Sequence, residues 1–394
     1  MENKRLPVLC DEKDCMGCMA CAQSCTRHAI SMRLNSEGYY NPVVNPSQCI
    51  GCLLCEKKCP ILSPKPNQNY APKAYSCWTK DNDARVNSSS GGAFTAIALT
   101  VLNKGGIVWG AGYSEKMIPI YKFIENASDL NLIRGSKYVQ CQVGESYKLI
   151  KEQLAGGRIV LFCGTPCHVA GLYAFLGKEH KENLLTIDFI CHGVPSSLLF
   201  ANYIKWLEHR YGDTIIDFNF RESRFGINYN VATSATFKTK GKKYLYLSNN
   251  SFTLGFCRDL TIHDACVTCK FRGLQRYADF TIGDFHGAKG EYSPTEQFKG
   301  ISCLIVNSSK ANSIISEMDI YIKENSLDRM DIDSNPSYTR HGKSQRKANL
   351  CEFVELPYSE VQERYFKPSL KDKVKTSVML LLGGRLSYII KNIM

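Results

Sequence analysis

Four cysteines crowd the stretch CMGCMACAQSC, at Cys15, Cys18, Cys21 and Cys25, and four more crowd CIGCLLCEKKCP, at Cys49, Cys52, Cys55 and Cys59. Thiols this dense either pair as disulfides or bind metal as thiolates. A disulfide framework suits short secreted domains, and this chain has 394 residues. Its start, MENKRLPVLC, shows neither an apolar h-region nor a small-residue cleavage site, so no secretory signal is read there. The expected setting is a reducing, cytoplasmic one with thiolates held on metal. Zinc usually takes its four ligands as two separated pairs, and two unbroken four-cysteine runs fit it poorly.

Both runs have the spacing C-x2-C-x2-C-x3-C. This resembles the bacterial ferredoxin run, whose fourth cysteine ligates the other cluster. Three cysteines at a spacing of three let the chain loop around one face of an iron-sulfur cube, while the fourth starts a segment that leads away. The expectation is one 4Fe-4S cluster on Cys15, Cys18, Cys21 and Cys59, and a second on Cys49, Cys52, Cys55 and Cys25. Gly17 and Gly51 let backbone approach sulfide closely. Pro60 follows the last cysteine of the second run, where the first run has Thr26. Cys10 lies outside both runs and is expected to be an unliganded thiol.

A second constellation lies further on. In LFCGTPCHVAGL, Thr165 suits a helix N-cap and Pro166 the first helical position, which puts Cys167 in the first turn. There the helix dipole favours a thiolate. In TIDFICHGVPS, Cys191 ends the following strand. If the two strands are parallel neighbours, both cysteines share the carboxyl edge of the sheet, where open α/β sheets bind ligands. ACVTCKFRG adds the chelating pair Cys266 and Cys269. These four sulfurs suffice for a third cluster, and spacing alone leaves buried thiols, a zinc site or a redox pair open.

The elements that must hold these cysteines can be read more coarsely. The chain is 44% apolar, enough for a real core in two or three domains. Residues 1–62 form the cysteine-rich head, and the Pro- and Asn-rich stretch ILSPKPNQNYAPK contains a linker over 63–73. Residues 74–155 and 156–310 follow as the two parts of an α/β region. A helix is expected over 91–103 and strands over 105–113, 158–164 and 184–191, with helices after the last two. Strand and helix alternating through short joins imply parallel strands and right-handed crossovers. Residues 215–250 alternate in hydrophobicity and read as antiparallel, and 278–284 and 301–307 as further strands. The fold class is therefore an α+β dicluster ferredoxin head followed by an α/β domain with a mixed, partly parallel sheet. Residues 311–394 read as a basic helical extension. Its end, KVKTSVMLLLGGRLSYIIKNIM, either packs on the domain or makes weak contact with a membrane surface. No run of about 18 apolar residues predicts a membrane-spanning helix. The net charge of +12 suits an acidic partner, an anionic cofactor or merely a solvated face. With no nucleic-acid motif, no nucleic-acid partner is expected.

The phrases SSSGGAFTAIA, GSKYVQ, FCGTPCHVAGL, IDFICHGVPS, CVTCKFRG and ADFTIGDFHG occur in this order. Together they resemble the beta-subunit family of coenzyme F420-reducing hydrogenases and dehydrogenases, from the head to about residue 307. The resemblance implies a FAD-containing electron-transfer protein with a third 4Fe-4S cluster. It places the third cluster on Cys167, Cys191, Cys266 and Cys269, with Cys163 and Cys257 in reserve. Cys77, Cys141, Cys303 and Cys351 remain structural thiols. Ser89, Ser90, Gly91 and Gly92 precede a helix whose free N–H groups can hold a pyrophosphate; a plain Ser-capped helix is the bland alternative. Lys137 in GSKY can pair with phosphate or with a reduced, anionic isoalloxazine. Asp284 and His286 end a strand, with His286 where many relatives have Trp; His286 and His192 are either proton donors or structural. No catalytic residue is assigned. The implied function is an iron-sulfur flavoprotein oxidoreductase linking coenzyme F420 or another small redox substrate to the clusters. The alternative is a non-catalytic electron-relay subunit. Either requires a redox partner protein or further subunits of a complex. No nickel site is present in the sequence, so hydrogen activation would fall to another subunit.

Overall fold

The computed structural model describes residues 5–64, 70–179, 182–223, 226, 232–288, 290–330 and 350–382. In the head, the short helices Ala20–Gln23 and Leu54–Lys57 follow the two cysteine loops. Between them lies an antiparallel hairpin of β1 (Ile30–Leu34) and β2 (Tyr40–Val44), with Ile30 opposite Val44.

The body is built on one eight-stranded sheet. In chain order its strands are β3 (Lys73–Thr79), β4 (Ile107–Tyr113), β5 (Pro119–Ile124), β6 (Val160–Cys163) and β7 (Leu184–Phe189). A separate antiparallel sheet holds β8 (Ile215–Asn219), β9 (Thr233–Phe237) and β10 (Gly241–Leu245). The chain then returns to the large sheet as β11 (Phe280–Asp284), β12 (Ser302–Val306) and β13 (Ile320–Asn325). The order across the large sheet is β13-β3-β12-β11-β7-β6-β4-β5. Its centre, β11, β7, β6 and β4, is parallel, and the remaining pairings are antiparallel. The mixed, partly parallel sheet of the sequence reading is thus present. Its central strands are apolar runs because helices or the head cover both faces.

One face packs on the helix Ala93–Asn103 through Ile97, Val101, Leu161 and Leu304. The other packs on the helix Pro166–Leu176 through Phe162, Val169, Leu172 and Leu184. This second cluster also includes Ala20 of the head, which is fully buried, with Met16, Cys18 and Met19 packed against it. The hairpin is tied down as well: the buried Tyr39 hydroxyl lies within hydrogen-bonding distance of the carbonyls of Thr261 and Val194, at 3.0 and 3.2 Å. The head is therefore part of the body's core. A polar, Pro-rich linker and a C-x2-C-x2-C pattern carry no information about that docking.

Two expected boundaries shift. β3 begins at Lys73, the last residue assigned to the linker, and residues 65–69 of the linker lie outside the described residues. β13 pairs with β3 at the sheet edge, so the extension expected from residue 311 starts only after residue 325. Its exposed, charged alternation, IYIKEN, suits an edge strand and hid it among polar residues. The helices Leu350–Glu355 and Tyr358–Tyr365 pack on the helix Ser197–Tyr211 through Phe353, Tyr358 and Val361. The helix Leu370–Leu382 is held to the body by the Asp372–Arg258 ion pair at 2.8 Å, while Leu370 and Leu381 are largely exposed. The remainder of the basic tail, 383–394, lies outside the described residues. Among the described residues, no helix is long and apolar enough to cross a membrane.

Candidate functional site

Three cavities carry the cysteines singled out above. The first is lined by Cys15, Cys18, Cys21 and Cys59, and also by Cys10 and Met16. The second is lined by Cys49, Cys52, Cys55 and Cys25. Each run thus delivers its fourth cysteine to the other run's cavity. The two loops repeat one backbone pattern. Gly17 (φ 65°) and Met19 (φ 61°) in the first correspond to Gly51 (φ 73°) and Leu53 (φ 58°) in the second. Methionine and leucine in the left-handed region cost about 1–2 kcal/mol each, and the repetition shows that the loop shape demands it. That shape aims amides at sulfur: Gly51 N donates to Cys49 Sγ at 3.4 Å, and Ala29 N to Cys25 Sγ at 3.3 Å. Nothing in the sequence signalled strain at Met19 or Leu53; the C-x-G-x-x motif marked only the glycines. Gly17 has a further role: a Cβ there would meet Gln140 Nε2 at 2.6 Å and the Tyr40 carbonyl at 2.9 Å. Gln140, the last residue of GSKYVQ, accepts from Tyr40 N at 3.0 Å and is buried. It joins head to body, a role its position in the motif did not reveal.

The third cavity lies at the carboxyl edge of the sheet, with Cys167, Cys191, Cys266 and Cys269 in its wall. β6 and β7 are parallel neighbours. Cys167 stands in the first turn after β6, and Cys191 just beyond β7. Thr165 occupies the N-cap position, but its hydroxyl pairs with Cys167 Sγ at 3.2 Å rather than with a backbone amide. Gly193 (φ 126°) brings in the chelating pair: a Cβ there would lie 2.5 Å from Ile262 Cγ2 and 3.1 Å from Cys266 Cβ. Cys269 Sγ accepts from Phe271 N at 3.4 Å. Beneath the site, Arg276 and Asp188 form a buried pair at 3.6 Å. The guanidinium favours thiolates at Cys191 and Cys269. Burial nevertheless pushes all four thiols up, Cys191 to about 12. Four crowded, desolvated thiols ionise together only when a cationic centre binds them, so their chemistry fits a bound metal group. Among the described residues no three His, Cys, Asp or Glu converge on the position of a single ion; the sulfurs surround cavities instead.

Met16 lines both the first and the third cavity. Beside it in the wall of the third cavity stands His168, whose ring pairs with the Tyr121 hydroxyl at 2.9 Å. Burial drives the His168 pKa down to about 4, so the ring is neutral. Cys141, read as a structural thiol, also lines the third cavity. The reserve residues Cys163 and Cys257 line none of the three. Cys10, read as lying outside the runs, lines the first cavity together with Cys15 and Cys59. That proximity, and then burial, push its own pKa up, while Cys59 is pulled down to about 6.

The flavin candidates form a separate group. Ser89 Oγ accepts from Ser136 N at 2.8 Å, which brings SSSGG beside GSKY. Gly92 (φ 89°) caps the Ala93–Asn103 helix without any side-chain bond to its free amides. Gly91 serves packing: a Cβ would lie 2.6 Å from the Cys77 carbonyl. Ser90 donates to the Ile301 carbonyl at 3.1 Å, and Lys137 Nζ to the Arg134 carbonyl at 2.7 Å. Burial lowers the Lys137 pKa to about 8. Asp284 pairs with Arg221 at 2.9 Å, and Arg221 also donates to the Tyr138 hydroxyl at 3.2 Å. Arg221 was not singled out in the sequence, since RESRFG carries no motif. His192 pairs with Asp259 at 2.5 Å, and His286 is exposed.

Two family models described as "Coenzyme F420 hydrogenase/dehydrogenase, beta subunit" match the body, the carboxyl-terminal one over residues 157–329 and the amino-terminal one over residues 74–148. Residues 14–61 match a 4Fe-4S dicluster domain. Comparison with curated proteins gives no match. Among solved structures, the chain is similar to one from the xenon-derivatised F420-reducing [NiFe] hydrogenase complex of Methanosarcina barkeri. The identity is 15% and the TM-score 0.43, over 74% of this chain and 91% of that one. The chain belongs to the coenzyme F420 hydrogenase/dehydrogenase beta-subunit family and carries a 4Fe-4S dicluster domain as its head.

Proposed function

We propose that the protein is an iron-sulfur flavoprotein oxidoreductase. It links a hydride donor or acceptor, coenzyme F420 or another small substrate, to a protein partner at the head. The observation that carries this reading is the serial placement of three four-cysteine sets, with Met16 in the wall common to the third and first cavities. Cys167, Cys191, Cys266 and Cys269 would hold one 4Fe-4S cluster in the body. Cys15, Cys18, Cys21 and Cys59, and Cys49, Cys52, Cys55 and Cys25, would hold two in the head. When bound, such clusters pass single electrons, and a flavin converts a hydride into single electrons. The protein's own task is position and environment. Met16 keeps the wall common to two thiol sets apolar, with neutral His168 beside it. Arg276 supplies buried positive charge beside Cys191 and Cys269.

For FAD, the support is the uncapped start of the Ala93–Asn103 helix, joined by Ser89 to the loop of Lys137. Lys137 also lies within electrostatic reach of Cys141 and Cys163, at the end of β6 beside the third cavity. Ser89, Ser90, Gly91, Gly92, Lys137 and Asp284 are the residues assigned to it. On the partner side, Cys52 and Ile50 are exposed at the second cavity, the natural exit for electrons to a redox partner or another subunit. Weak membrane-surface contact is assigned to the exposed leucines of the Leu370–Leu382 helix, and thiolate chemistry to a reducing, cytoplasmic setting.

A second reading, an electron-relay subunit without flavin, is favoured by one observation. Ser88 and Ser90 already spend their hydroxyl protons on the carbonyls of Ala84 and Ile301, and Lys137 spends one of its three donors on that of Arg134. Acid extraction of anaerobically purified protein separates the two. About one flavin per chain, bleached on addition of a reduced deazaflavin, supports the oxidoreductase. No flavin at full iron loading leaves the relay.

A further inference from the structure

The helix Leu370–Leu382 turns two opposite faces to two different surroundings. At about 100° per residue, Asp372, Thr376 and Met379 fall together at about 180–240° from Leu370, whereas Val374, Val378 and Leu381 fall within about 80° of it. The first set faces the body: Thr376 and Met379 are buried, and Asp372 pairs with Arg258 at 2.8 Å. The second set faces outward: Leu370 is 78% exposed, Val374 53% and Leu381 84%. The mounting is firm. Arg258 also donates to the Lys367 carbonyl at 2.9 Å, and Ser369 N and Oγ donate to the same Asp372 carboxylate at 2.8 and 2.7 Å. The apolar stripe is therefore a fixed part of the surface. Lysines border it on both sides, Lys371 at about 100° and Lys373 at about 300° on the same count, and both are exposed. Asp372, the one acidic residue of the helix, is turned to the body. Residues 373–394 contain four basic residues and no acidic one.

We infer that this face docks on an anionic lipid surface, with the stripe among the headgroups and the lysines on the lipid charges, so that the body is held on the membrane in one orientation. The inference rests on the proposed function only for the membrane-surface contact assigned there, and on none of its clusters. A helix that lies in the membrane interface needs an apolar face with cationic flanks. A stripe this narrow binds weakly by itself, and each lysine near an anionic surface adds about fivefold in affinity. A flat sheet of negative charge meets both flanks at once. A second copy of the chain is the poorer occupant, because pairing two such faces would set lysine against lysine.

The test is anaerobic co-sedimentation of the full chain with two kinds of vesicle, phosphatidylcholine alone and phosphatidylcholine with about a third of phosphatidylglycerol as the anionic lipid. Binding is expected to the second kind at low salt, and should fall more than about tenfold when about 1 M salt shortens the screening length to about 3 Å. Lys371→Gln with Lys373→Gln should weaken it about thirtyfold, and Val374→Asp with Leu381→Asp should remove it. Both variants change exposed side chains, so far-UV circular dichroism, iron and flavin should stay at wild-type levels. Wild-type protein with full iron and flavin that ignores anionic vesicles would overturn the inference and leave the oxidoreductase standing. Equal binding to both kinds of vesicle, or undiminished binding by either variant, would overturn it too. So would a wild-type dimer, formed without vesicles and lost in Val374→Asp with Leu381→Asp, since a second copy would then cover the face. Anionic-vesicle binding by protein without iron or flavin would support the docking and refute the proposed function.

Discussion

Gly171→Ala tests how tightly head and body are joined. Gly171 lies within the Pro166–Leu176 helix, and a Cβ there would stand 2.9 Å from Cys18 Cβ, 2.9 Å from Tyr147 Oη and 3.1 Å from Cys18 Sγ. In an unobstructed helix this change gains about 1 kcal/mol. Here neither neighbour yields cheaply. Tyr147 is fully buried and its hydroxyl donates to the His168 carbonyl at 2.7 Å. Cys18 cannot swing aside while its sulfur is a ligand. Overpacking of this kind costs about 1–3 kcal/mol, so the helix gain is cancelled and a net loss of up to about 2 kcal/mol remains. Anaerobic urea unfolding, followed by far-UV circular dichroism and by cluster absorbance, should show a lower midpoint in both signals. Stopped-flow reduction should show slower electron arrival at the head clusters with their iron retained. A variant more stable than wild type, with unaltered kinetics, would mean that the first cysteine loop does not sit against this helix.

Other outcomes follow from the same geometry. Cys191→Ser should lose about a third of the iron, four of about twelve atoms, while the EPR signals of the head persist. Lys137→Met should lower extracted flavin several-fold without changing iron content; equal flavin in both proteins would remove Lys137 from the cofactor site. His168, buried and neutral with its pKa lowered from 6.5 to about 4, binds fewer protons folded than unfolded between those values. Its contribution is complete above pH 6.5 and is lost as pH falls toward 4, amounting to about 3 kcal/mol. The unfolding free energy of His168→Gln should therefore decline less steeply than that of wild type across that window.

Much of this arrangement was legible because it depends on local spacing. The C-x2-C-x2-C-x3-C runs sorted eight cysteines into two crossed sets, and the cavities contain those same sets. The runs VLFC and LLTIDF marked two strands, and Pro166 marked the helix between them. What stayed hidden depends on contacts remote in sequence. The burial of Ala20 against the sheet follows from the shape of a docked head, which no periodicity encodes. β13 reads as a polar stretch because it is an edge strand. Met16 and Cys10 matter through which walls they share, and Arg221 through partners 63 and 83 residues away in sequence, Asp284 and Tyr138.

The most direct test of the central claim is a count of iron and acid-labile sulfide in anaerobically purified chain, joined to EPR after dithionite reduction. The account predicts about twelve of each per chain, with spin coupling between neighbouring clusters that reflects the wall shared at Met16. About eight of each would leave the body cysteines without a cluster. A colourless, EPR-silent protein would contradict the account outright.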